Sequence, residues 1–227
     1  MLKKTALAFA FLTISTAFRC SDPGAFRSAE QSERVGNAYS LLLEGEYVIS
    51  AYDELIRDIS EQEGHDWRLL SAIAYHESRF RSHLVSRRGA RGLMQIMPSV
   101  ARQFGVPVAE AADPVANVWL ANKLLSRIME ALRIAAGTPD EDRMSIVLAS
   151  YNGGLGHVCD ARRLARFYGE NPDSWEVVKR YLKLKSLPEY YTHEVVECGR
   201  FAGSRQTAAY VDDVLGHYKK YCSMVGR

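Results

Sequence analysis

From Tyr47 onward, apolar side chains recur every three or four residues, and no stretch longer than a few residues alternates with period two. That pattern restricts the chain to helices packed on one another. Asp66 can cap a helix over 67–80, and Asp113 followed by Pro114 supplies the cap and first-turn proline of a longer helix reaching about residue 135. The longer helix carries Val118, Leu125, Ile128, Met129 and Leu132 on one side. Further helices are expected over 140–151, 155–168, 172–182 and 205–222, with Pro98 and Pro172 in first turns and Gly153 with Gly154 at a helix end. Only 85–93 leaves room for a small hairpin. The expected fold is therefore all α. A chain of 227 residues, 47% of them apolar, can bury one core, and no repeat or linker divides 47–227, which is read as one domain.

The segment before it has a different character. In MLKKTALAFAFLTISTAF, Lys3 and Lys4 precede a short apolar run, the build of an export signal over 1–20, and 21–46 reads as a tether. The protein is expected to be exported to the periplasm. Two processing routes are open: cleavage after Ala17, or acylation of Cys20 as a lipoprotein. The second is the reading taken, although Phe18 and Arg19 fit a lipobox poorly. Lipidation would leave Cys159, Cys198 and Cys222, an odd set whose pairing the sequence does not assign. Cys222 falls in step with Val211, Val214, Leu215 and Tyr218 and reads as a small buried hydrophobe. A net charge of +2 gives no ground for a nucleic-acid partner. The six histidines are scattered without zinc-like spacing, so neither a metal nor a cofactor is expected. No protein partner is legible.

Within the first long helix, Leu70, Ile73, Ala74 and Glu77 share a face, so a carboxylate ends an apolar stripe. A carboxyl at such a rim either finds a partner or keeps its proton near neutral pH, and the second state suits a general acid. Residues 78–109 contain no acid but hold Arg79, Arg81, Arg87, Arg88, Arg91 and Arg102. Burial would raise the Glu77 pKa and a close arginine would lower it. Most of these arginines read as a solvated face; their functional reading is attraction to an anionic polymer. The run GARGLMQIMP over 89–98 then places glycines, which let a backbone approach a ligand, beside Met94, Gln95 and Met97.

Taken in order, HESRF, Ser86, GARGLMQIMP, SVARQFGV and SYNGGLGHV resemble the signature of the soluble lytic transglycosylase domain. Within that family, DWRLLSAIAYHESRF and YLKLKSLPEYY resemble the catalytic domain of membrane-bound lytic transglycosylase F. The resemblance implies a lysozyme-like helical fold with a catalytic cleft, peptidoglycan glycan strands as substrate, and Glu77 as the single acid and base. It also implies that Ser86 and Gln95 line the cleft near the reacting sugar's acetamido group, that Met97 forms a wall, and that Tyr151 and Asn152 face them, with Tyr151 as the partner of the acid. Tyr210 matches the tyrosine of a late motif in which Gln206 replaces the usual glutamate, and His76 replaces the usual glutamine before the acid.

In such enzymes the acid protonates the oxygen between N-acetylmuramic acid and N-acetylglucosamine, the substrate's acetamido group supports the anomeric centre, and the ionised acid then deprotonates the muramyl 6-hydroxyl to close a 1,6-anhydro ring. Asp113 and Glu110 remain open as further carboxylates. A goose-type lysozyme-like hydrolase and a catalytically silent peptidoglycan-binding module are the alternatives.

Overall fold

The structure, a computed structural model, describes residues 49–225; the expected export signal, Cys20 and the whole tether lie outside the described residues. Among the described residues the regular elements are helical: α1 (Asp53–Gln62), α2 (Trp67–Ser78), α3 (Pro98–Gln103), α4 (Pro114–Leu132), α5 (Asp140–Gly153), α6 (Leu155–Phe167), α7 (Trp175–Leu184), α8 (Pro188–Tyr191) and α9 (Ser204–Val225). A 3-10 turn, Glu110–Ala112, precedes α4. Where a hairpin had room, the chain forms only two isolated antiparallel bridges, Val85 with Arg91 and Arg91 with Ile96.

Caps written into the sequence start the two longest early elements. The Asp66 carboxylate accepts the Arg68 N–H, and that of Asp113 accepts those of Val115 and Ala116. Both helices end sooner than their apolar periods suggest. Arg79 and Phe80 adopt φ of 54° and 60°, and Arg133 one of 45°, so the chain turns off left-handed after Ser78 and Leu132. Pro172 does not open a helix: α7 starts at Trp175, whose N–H is capped by Asp142 of α5 at 2.8 Å.

The core is continuous. Val118, Leu125, Ile128 and Leu132 of α4 are buried as expected, whereas Met129 is 43% exposed and leaves that stripe. Because α5 packs on α4, α6, α7 and α9, it forms the centre of the bundle, and α2 lies between α1 and α9. On α9 the buried apolar series closes with Tyr221; Cys222, one residue on, is half-buried.

Candidate active site

The last turn of α2 carries the site's acid. Leu70, Ile73 and Ala74 are fully buried, and Glu77, one turn further along the same face, is half-buried at the rim. Burial pushes its carboxyl from 4.5 up to about 7, against a smaller opposite pull from the Tyr210 hydroxyl. Neither influence is an arginine, which settles the competition in favour of burial. Arg79 instead lies over the Tyr75 ring at 4.1 Å, Arg81 donates to the Ser78 carbonyl, and Arg87, Arg88 and Arg102 are solvated.

Two tyrosines stand beside this carboxyl. Tyr151, at the end of α5, donates its hydroxyl to the Met94 carbonyl at 3.0 Å. Its own pKa is raised well above the usual value, by burial first and by Glu77 second. The polar influence on Glu77 comes from Tyr210 of α9, which is 1% exposed. The Tyr210 hydroxyl closes no hydrogen bond of ordinary geometry; burial and then the charge of Glu77 hold its proton firmly. Tyr151 therefore ties a loop to α5, and Tyr210 is the acid's partner.

That loop is the glycine-containing turn between α2 and α3. Its frame is a set of backbone bonds: Ser86 N–H to Ala90 carbonyl at 2.8 Å, Gly92 N–H to Leu84 carbonyl at 3.0 Å, and a reciprocal pair between Arg91 and Ile96. Ser86 Oγ accepts the Ala90 N–H, so its own hydroxyl hydrogen remains to be offered. Gln95 sits at φ 48° and donates its side-chain nitrogen to the Leu84 and Gly92 carbonyls, which leaves its amide oxygen as the group to present. Met97, 38% exposed, precedes α3. Asn152, at the end of α5, accepts the Thr207 hydroxyl at 3.0 Å, so its amide nitrogen is what it can offer.

One residue that holds this loop went unnoticed in the sequence. Asn117 of α4 is fully buried; its Oδ1 accepts the Met94 N–H at 2.7 Å, and its Nδ2 donates to the Arg91 and Ala111 carbonyls. Gly92 is small for its sake: at φ 77° a Cβ would lie 2.5 Å from the Asn117 amide nitrogen. The close approach that this glycine permits is to Asn117. A buried amide inside an apolar helix face was the available signal, since such a group must be satisfied by something outside its helix. Asp113 is occupied as the α4 cap, and Glu110 is exposed in its 3-10 turn. Two surface recesses, one lined by Pro139, Trp175 and Leu215 and one by Arg57, Trp67 and Val225, contain none of the expected site residues.

The family model of the transglycosylase SLT domain matches residues 54–173, more than half of the chain, and takes in Glu77, the loop, Tyr151 and Asn152. The chain belongs to the transglycosylase SLT domain family. Tyr210 lies beyond the matched span of the SLT domain, and its place at the acid rests on the packing of α9 against α2. The chain is 36% identical over 173 residues to the membrane-bound lytic murein transglycosylase F of Marinobacter nauticus, covering 74% of this chain and 32% of that protein. To the protein of the same name in Alcanivorax borkumensis it is also 36% identical, over 74% of this chain and 34% of that one. It thus spans about a third of the length of the curated relatives it matches. Among solved structures, the 70 kDa soluble lytic transglycosylase of Escherichia coli aligns with a TM-score of 0.51 at 22% identity, covering 86% of this chain and 28% of that one. That likeness concerns the fold, which is the lysozyme-like helical one expected.

Proposed function

We propose that this SLT domain is a peptidoglycan lytic transglycosylase with Glu77 as both acid and base. The observation that carries the reading is a carboxyl which burial holds at about 7, so that near neutral pH it is populated with and without its proton. Protonated Glu77 gives its proton to the oxygen joining N-acetylmuramic acid to N-acetylglucosamine, and the bond from that oxygen to the anomeric carbon breaks. The muramyl acetamido group supports the anomeric carbon meanwhile. Ionised Glu77 then takes the proton of the 6-hydroxyl as its oxygen bonds to the anomeric carbon. The proton balance closes without water, and one carboxyl serves where most glycosidases need two.

The remaining polar groups suit a sugar. Ser86 can donate, Gln95 can accept and Asn152 can donate, while Met97 gives an apolar wall. The solvated arginines near the loop suit the carboxylates of the polymer. The relatives are named murein transglycosylases, and the same loop motifs lie within the matched span. Mass spectrometry of fragments released from purified sacculi tests the reading: 1,6-anhydro-muramyl ends are expected, each one water lighter than a hydrolysed end. Uniformly reducing ends would replace it with hydrolysis, and binding without release with a silent module.

We further infer periplasmic export with Cys20 as the lipid-bearing residue. The relatives are named membrane-bound, and Cys20 follows the apolar leader. A fatty-acid analogue should label the parent and leave Cys20→Ser unlabelled; a mature chain beginning at Phe18 would establish cleavage after Ala17 instead.

A further inference from the structure

The residue before the acid touches the acid's partner. His76 packs edge-on against Tyr210 with ring centroids 4.6 Å apart and planes at 75°. On its other side His76 Nε2 lies 3.6 Å from the Asp213 carboxylate, which stands on α9 one turn after Tyr210. Two side chains of one α9 face therefore hold the ring between them, and the ring bounds the phenol whose hydroxyl bears on Glu77. Tyr210 is buried and its hydroxyl closes no hydrogen bond of ordinary geometry, although it bears on Glu77, so the packing around the ring governs where that hydroxyl sits.

We propose that His76 is a positioning residue: its ring sets the tilt of Tyr210, and through it the place of the hydroxyl that faces the catalytic carboxyl. This rests on the reading of Glu77 as the acid. The ring contact operates with His76 neutral, its dominant state near neutral pH. Burial lowers its pKa most, Arg79 after α2 and His217 of α9 lower it further, and Asp213 opposes them. Since the Tyr210 hydroxyl draws the Glu77 pKa down against burial, a displaced Tyr210 would let that pKa climb.

The test compares kcat, KM and the pH profile of the full chain on soluble glycan strands. His76→Ala is expected to lower kcat roughly tenfold, short of the hundredfold that an ångström of misplacement can cost, with KM held. It should also move the basic limb of kcat/KM to higher pH. Tyr210→Phe should move that limb the same way, and adding His76→Ala to it should move it no further. His76→Phe keeps a ring edge but loses the ring nitrogens that face Asp213, and should recover most of the loss. Asp213→Ala, changed on the exposed side of α9, should give a smaller shift in the same direction without threatening the fold. An unmoved limb in His76→Ala would sink the proposal, and so would His76→Phe behaving like His76→Ala, because charge and not the ring would then be acting. If Glu77→Gln is inactive in the same assay, only the positioning role fails; if it is active, the acid assignment fails and the positioning role with it.

Discussion

At the scale of single residues, the account turns on how water is kept from one carboxyl. On the proposed reading Glu77 must be protonated to begin the reaction, so kcat/KM should fall as pH rises through about 7, the value to which burial brings it. The same shift bears on stability. A carboxyl whose folded pKa exceeds its usual 4.5 contributes stability that is fully present below 4.5 and is lost as pH rises through about 7. Glu77→Gln, which cannot ionise, should therefore melt higher than the parent at pH 8 and lose that advantage by pH 4.5, as thermal scans at the two values would read. The place of this carboxyl was legible from the sequence, because three-and-four spacing put it at the end of a buried stripe, while its reading as an acid came from the segment that follows and from the family resemblance. Its partner was not. Tyr151 and Tyr210 both came from motif resemblance, and only the packing of α9 on α2 and the bond from Tyr151 to Met94 decide between them.

At the scale of elements, local chemistry was legible and distant chemistry was hidden. Asp66 and Asp113 announce their helices because a cap acts within three residues. The start of α7 was misplaced because its cap, Asp142, belongs to α5, and α8 has too few residues to show a period. The site loop depends on such a distant partner. Gly92→Ala should destabilise the protein by about 2–4 kcal/mol, from left-handed strain plus displacement of the buried Asn117 amide from its three backbone partners. Denaturant unfolding reads the cost, and a change within about 0.5 kcal/mol, the range of an ordinary surface substitution, would refute the clamp.

At the scale of the whole molecule, the segment after α8 is bound to α6 and α7 by charge buried out of sight of any periodic pattern. Lys185 and Asp160, both fully buried, meet at 2.5 Å; Asp160 also accepts the N–H groups of Glu197 and Cys198, and Lys185 reaches His157. A lysine in the stretch YLKLKS reads as solvated until that segment folds over it. Asp160→Ala should cost about 3–5 kcal/mol by leaving Lys185 unpaired, measured by equilibrium unfolding; a cost below about 1 kcal/mol would mean that Lys185 escapes to water. The bundle so fixed holds Glu77 of α2, Tyr210 of α9 and the loop that follows α2 around one point, and the central claim is that proton transfer at that point is the catalysis. Its most direct measurement is the rate at which folded Glu77→Gln releases anhydro-ended fragments from sacculi. Acid and base contributions of about 10² to 10⁴ each vanish together in this variant, so a loss of roughly a thousandfold or more is expected with strand binding retained. Release by the folded variant at near the parent rate would contradict the account.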